Sequence, residues 1–467
     1  MSDYPGFPPG FVFGAATASY QIEGAATEDG RGPSIWDTYS RTPGLVVNGD
    51  TGDVACDHYH RYPEDVALLR GLGVDSYRFS IAWPRIVPDG SGAVNPKGLD
   101  FYSRLVDELL AAGIEPAATL YHWDLPQALE TPSGSGSAAG GGWRVRETAE
   151  RFAEYTAVVA EHLGDRVPRW ITLNEPWCSS FLGYSIGRHA PGAKEGRGAL
   201  AAAHHLLVAH GLAVRALRAA GVREVGITLN LDRNLPATDS PADRAAVVRA
   251  DTQHNLVWTE PILAGRYPAT EEETWGELIT GQDFRRDGDL ELISQPLDFL
   301  GINYYRPIVV ADAPHRESDP ARRVATDNRY EEVRLPGVRH TAMDWPVVPD
   351  SFTDLLVELK ERYGDALPPV HITENGSAED DTAAADGTVH DTDRVAYLRD
   401  HLTALRAAMD AGVDVRGYYV WSLLDNFEWA YGYDKRFGIV RVDYGTQRRT
   451  PKDSYHWYRE MIAANRG

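Results

Sequence analysis

The sequence predicts one α/β domain, a single (β/α)8 TIM barrel with long βα loops spanning residues 1–467. Three features predict it. Eight short β-branched or aromatic runs are spread along the chain. Amphipathic helical segments ending in Gly precede several of them. Polar and aromatic residues gather where each run stops, and eight is the strand number that closes such a barrel. A doubly wound open sheet is the competing architecture, but no Gly-rich phosphate fingerprint follows the first run.

In chain order, the run 11–15 leads to Gln21 and Glu23, and the run 76–80 carries Arg78. The run 116–121 ends in Tyr121-His122-Trp123-Asp124, and 169–173 runs into Asn174-Glu175-Pro176. The runs 225–229 and 299–302 end at Asn230 and at Asn303-Tyr304-Tyr305. The run 370–373 stops at Glu374, where Asn375-Gly376 is a turn dipeptide. The last run, 416–421, passes through Trp421 to Glu428-Trp429. Gly73, Gly113, Gly221 and Gly412 mark helix-to-strand junctions. Before the second junction Leu99, Tyr102, Leu105, Val106, Leu109 and Leu110 follow helical spacing, as do Val395, Leu398, Leu402 and Leu405 before the fourth. Helix-then-strand units repeating in this way imply parallel strands with helices outside. Three loops stand apart. Segment 131–142 is rich in Gly, Ser and Ala and is expected to be mobile. Segment 307–349 is long and irregular, the kind that builds or covers a site. Segment 377–393 is acidic and is expected to be exposed.

A net charge of -22 argues against nucleic acid and anionic membranes as partners and favours a neutral or cationic ligand. No apolar run approaches the length of a membrane-spanning helix, and no signal peptide is visible. Cys56 and Cys178 are too few for a disulfide framework, so the reading is a cytoplasmic protein with reduced thiols. His58 and His60 lack a third ligand at metal-binding spacing, so neither a metal nor a cofactor is expected.

The chemistry is read from two strand ends. Glu175 and Glu374 each follow a buried apolar run, so two strands deliver a carboxylate to what would be one rim. One such Glu is ordinarily an exposed loop residue. Two in matching contexts fit the paired carboxylates of glycoside hydrolysis.

Longer stretches carry a resemblance. Phe11-Val12-Phe13-Gly14-Ala15-Ala16-Thr17, continuing to Gly24, is similar to the N-terminal signature of family 1 glycoside hydrolases. Tyr77-Arg78-Phe79-Ser80, Thr172-Leu173-Asn174-Glu175-Pro176, Ile372-Thr373-Glu374-Asn375-Gly376 and Trp421-Ser422-Leu423-Leu424-Asp425-Asn426-Phe427-Glu428-Trp429 resemble that family's other motifs in order, almost end to end. The bacterial β-glucosidases are the nearest in kind. The resemblance implies Glu374 as nucleophile, Glu175 as acid/base, and retention of configuration. Physics then requires the nucleophile to be ionised by donors, for which Arg78 and Tyr305 are the candidates, and the acid to hold its proton. Asn303 joins this catalytic group. Gln21, His122, Asn174, Trp421, Glu428 and Trp429 resemble the glycone-binding set, with Phe437 beside them. Trp345 looks like the floor of the aglycone site, and Cys178 and His189 line its entrance. A carboxylate at 428 would repel a 6-phosphosugar. The implied substrates are small β-glucosides and cello-oligosaccharides. The alternatives are a broad β-glycosidase acting mainly on galactosides or fucosides, and a sugar-binding protein without turnover. Segment 131–142 departs from the family pattern and leaves the entrance shape open. Oligomeric state is open too.

Overall fold

The structure, a computed structural model, describes residues 4–131, 141–281 and 283–466. Eight parallel strands close into a barrel: β1 (Val12–Ala16), β2 (Ser76–Ser80), β3 (Glu115–Thr119), β4 (Arg169–Asn174), β5 (Glu224–Asn230), β6 (Phe299–Asn303), β7 (Val370–Asn375) and β8 (Val415–Trp421). Each strand pairs with its sequence neighbours, and β1 closes the ring on β8 through Ala16 and Trp421. The open-sheet alternative is thereby excluded. The main outer helices are α1 (His58–Leu72), α2 (Pro96–Ala111), α3 (Arg146–Leu163), α4 (Arg197–Ala219), α5 (Val257–Ala264), α6 (Asp350–Tyr363), α7 (Thr392–Asp410) and α8 (Asp453–Ala464). Gly73, Gly113, Gly221 and Gly412 all have positive φ, between 75 and 92°, so the four expected helix stops hold for the expected reason.

α2 shows both what periodicity catches and where it slips. Pro96 opens the helix at its first position, where the missing N–H costs nothing. Phe101, Tyr102, Leu105, Val106 and Leu109 are buried, and each contributes about 1.5–3 kcal/mol of apolar burial. Leu110, expected on this face, is 43% exposed. It lies roughly 110° around the helix from the centre of the buried stripe, whereas Phe101 falls inside it.

Three other expectations are corrected. Segment 307–349 is not wholly irregular: Pro307–Asp312 and Tyr330–Glu332 join Arg233–Pro236 in a three-stranded sheet. The acidic segment 377–393 is exposed only in part. Asp381 and Asp391 are buried against Arg394, while Lys452 joins Asp381 to Asp425. Arg394 follows the segment directly and Lys452 lies 71 residues beyond Asp381, so the segment's own composition does not carry the burial. Helix α4 is long and apolar enough to cross a membrane by composition, yet 83% of its most apolar window is buried inside the barrel shell. Of segment 131–142, residues 132–140 lie outside the described residues, as do Met1, Ser2 and Asp3.

The barrel interior below the rim is polar where strands crowd. The Arg169 guanidinium donates to Tyr419 Oη at 3.0 Å, and the Tyr419 hydroxyl donates to Ser76 Oγ at 3.0 Å. Gly14 is needed there, because a Cβ would meet the Tyr419 ring at 2.2 Å.

Candidate active site

The site begins with irregular strand pairing. Between Ile171 and Asn174, β4 advances three residues while β5 advances two. Between Ile372 and Glu374, β7 advances two while β6 advances one. An extra residue on each carboxylate-bearing strand shifts the alternation of side chains, which is how bulges re-aim residues at rims. Beyond β4 the chain turns through Glu175 at φ 44, a left-handed conformation that costs a non-Gly residue about 1–3 kcal/mol. Trp123 and Trp429, at φ 74 and 53, are held in the same way. The chain then winds as a wide π-helix over Cys178–Ile186, which returns the Cys178 thiol to within 3.2 Å of Glu175 Oε2.

Glu374 sits among donors. Arg78 Nη1 donates to its Oε1 at 2.7 Å and Tyr305 Oη to its Oε2 at 2.6 Å. Arg78 is fixed by its remaining bonds, to the Thr373 carbonyl, Thr119 Oγ1 and Asn174 Oδ1. Asn303 links the two carboxylate regions. Its amide donates to Glu175 Oε1 at 2.7 Å and Asn174 Oδ1 at 3.0 Å, and its own Oδ1 accepts from Thr373 at 2.7 Å. Gly301 leaves room for Thr373: a Cβ there would lie 2.9 Å from Thr373 Cγ2 and 3.0 Å from its Oγ1.

The electrostatics separate the two carboxyls. Burial pushes Glu175 up to about 8, the charge of Glu374 adds to that, and the Asn303 amide and Cys178 thiol oppose it. Burial lifts Glu374 as well, but the Arg78 cation and the Tyr305 hydroxyl oppose it directly. Glu374 has a countercharge in contact, whereas Glu175 hydrogen-bonds only neutral donors. The neighbours therefore favour the ionised form at Glu374 more than at Glu175.

Around them lies a cleft of ≈ 420 Å³ lined by both carboxylates and by Trp345, Trp421, Glu428, Trp429 and Phe437 among others. The His122 ring lies parallel to those of Trp421 and Trp429, 5.9 Å from each. Burial and the Arg78 charge hold His122 neutral, and its Nε2 accepts from Asn174 at 3.2 Å. Gln21 is buried behind Glu428, its amide donating to Asn426 Oδ1 and the Phe427 carbonyl at 3.0 Å. Burial, with the charges of Glu374 and Glu175, raises Glu428 to about 8. Trp345 and Phe437 pack with Tyr305, at ring separations of 5.3 and 6.0 Å, beside Glu374. Cys178 and His189 line the cleft as expected.

Glu23 does not belong to the site. It accepts from Tyr102 and Arg85 in the wall behind. Tyr304, next to Tyr305, turns outward and stacks on Phe352 at 4.5 Å. Sequence reading missed Thr373, which lay inside a recognised motif, Arg188 and Arg306, which reach the cleft from loops, Trp177 and His254, which reach it from helical turns beyond β4 and before α5, and Glu332, at the end of the short strand Tyr330–Glu332. His58 pairs with Asp65, and His60 with Asp57 and Glu28. Among the described residues no group of three or more His, Cys, Asp or Glu side chains is gathered for a metal.

Residues 4–467 match the family described as Glycosyl hydrolase family 1. The chain belongs to that family. It is 52% identical to thermostable β-glucosidase B of Thermobispora bispora, over 98% of this chain and 91% of that protein. It is 50% identical to a bifunctional β-D-glucosidase/β-D-fucosidase of Bifidobacterium breve, over 98% of each. The β-glucosidase of Thermotoga maritima in complex with castanospermine superposes with a TM-score of 0.90 at 46% identity, covering 98% of this chain and 99% of that one. The glycosyl hydrolase assignment and the barrel agree with the sequence expectation.

Proposed function

We propose that this family 1 hydrolase is a retaining, exo-acting β-glucosidase in which Glu374 is the nucleophile and Glu175 the acid/base. The observation that carries the assignment is the unequal environment of the two carboxyls, one against a guanidinium and the other against neutral donors only. Glu374 attacks the anomeric carbon as Glu175 protonates the departing glycosidic oxygen, giving a glycosyl ester on Glu374 and a free alcohol. Esterification removes the Glu374 charge that helps hold the proton on Glu175. Glu175 then takes a proton from water, whose oxygen attacks the anomeric carbon and releases the sugar with its original configuration. Asn174 and Asn303 present amides beside both steps, and the aromatic rings of Trp421 and Trp429 suit the C–H faces of a pyranose.

The glycone end favours an unphosphorylated sugar. Burial raises Glu428 to about 8, which weakens its repulsion of a phosphate, and among the described residues no Lys or Arg pairs with Glu428 to hold one. Small β-glucosides and cello-oligosaccharides are the substrates this pocket fits. The named activity of the Bifidobacterium relative supports a second reading, in which β-fucosides are also cleaved. Two buried free thiols, Cys56 and Cys178, support cytoplasmic residence.

The test is hydrolysis of p-nitrophenyl β-D-glucoside in EDTA, followed by NMR from the first turnover. β-Glucose should appear before mutarotation yields the α anomer. The α anomer as first product would overturn the role assignment.

A further inference from the structure

The mouth of the cleft is more charged than its floor, and most of those charges are matched. Arg306 pairs with Glu332 at 2.9 Å, Asp344 with Arg334 at 3.0 Å, and Asp232 faces His254 at 3.4 Å. Arg188 is different. Among the described residues it has no carboxylate partner; its Nη2 donates to the Tyr431 hydroxyl at 3.2 Å, and its guanidinium lies 5.3 Å from the Tyr431 ring. The side chain is exposed yet lines the cleft. Its charge reaches inward: it lowers buried His189 and opposes the rise of Glu428. Trp177, stacked on His254 at 4.7 Å, supplies an aromatic wall to the same cleft.

We propose that Arg188 is an anion acceptor of the aglycone site, and that the protein takes aryl β-glucosides whose aglycone carries a carboxylate. The inference rests on the glucosidase reading of the site. A planar guanidinium with free N–H donors beside aromatic walls matches an aromatic carboxylate, whose ring stacks while its oxygens accept two parallel hydrogen bonds. A dianion suits the mouth less well, because Asp232 and Glu332 stand in the same lining. In a chain of net charge -22, a local cation also offsets the general repulsion of an anionic substrate.

The test is a ratio: kcat/KM for 4-carboxyphenyl β-D-glucoside over kcat/KM for phenyl β-D-glucoside, in wild type and in Arg188→Lys, Arg188→Met and Arg188→Glu. The ratio should fall in that order, by roughly fivefold for Met, the upper end for a pair open to water. The difference in this ratio between wild type and Arg188→Met should also shrink as salt is raised from 10 mM to 0.5 M, since screening weakens the exposed pair while acting on the general repulsion in both proteins alike. A ratio unchanged across the series would overturn the proposal. Failure of the wild type on both glucosides would instead overturn the glucosidase reading, and this inference with it.

Discussion

Glu374 leaves β7 into a nest of donors that includes a guanidinium, while Glu175 leaves β4 into an equally buried pocket whose donors are an amide and a thiol. Both strands reach the rim through the same device, one extra residue in the pairing. What differs is the partner set. Burial raises both carboxyls, so desolvation cannot assign their roles. The contact with Arg78 can, because a cation within hydrogen-bond distance stabilises only the ionised form. Identical residues at matched strand ends thus differ in how far the side chains in contact with them favour the ionised form.

The most severe way to break this comparison is Glu374→Ala. Loss of the nucleophile should lower kcat on the order of 10⁵-fold with circular dichroism unchanged. Azide or formate entering the vacated space should restore turnover with an inverted product. Wild-type rates in this variant would reassign the nucleophile.

Glu175→Ala should split the substrates by leaving group. For alkyl and cellobiose aglycones the loss should be about 10²–10⁴-fold, the usual contribution of general acid catalysis. For 2,4-dinitrophenyl β-glucoside, which departs without protonation, the first step should be nearly intact and azide should accelerate the second. An equal loss on all leaving groups would sink the assignment of Glu175.

The unequal legibility of the two carboxylates has a physical origin. The apolar runs that end at Glu175 and Glu374 are local in sequence, and their β-branched residues announce buried strands. The extra residue in each strand is a property of pairing with β5 and β6, so it is silent in the run itself. Arg78 was readable as a polar residue on a buried strand. Its contact with Glu374, expected from the need to ionise the nucleophile, is made by the closing of the barrel across 296 residues. Leu110 and Phe101 show that spacing finds a helical face but not its centre. Asp381 and Asp391 look like solvated loop charges until Arg394 and Lys452 are in place. Arg188 sits in a loop, and Trp177 and His254 in or beside widened helical turns whose 3.6 period is broken, so neither period nor turn chemistry signals a direction.

The pH profile sharpens the same contrast. Glu175 must be protonated for the first step, so kcat/KM should fall as pH rises through its value of about 8. The acid limb belongs to Glu374, which must be ionised and is neutralised as pH falls. In Glu374→Gln the neighbouring charge that raises Glu175 is gone, so its titration, followed by carboxyl NMR, should move downward. An unmoved titration would mean that burial alone sets the acid.

The smallest effect concerns the thiol. Burial pushes Cys178 up, so it remains a neutral S–H and donates to Glu175 Oε2 at 3.2 Å. A donor stabilises the carboxylate over the acid, so this bond draws Glu175 downward against its burial. Cys178→Ala removes the donor and should move the alkaline limb of kcat/KM to higher pH, with KM at pH 6 little changed. Cys178→Ser puts a stronger donor at the position, and its limb should lie below that of Ala, at or below that of wild type. If the alkaline limbs of all three proteins coincide, the thiol fills space beside Glu175 without tuning it, and the Asn303 amide and the Arg78 charge are left to oppose its burial.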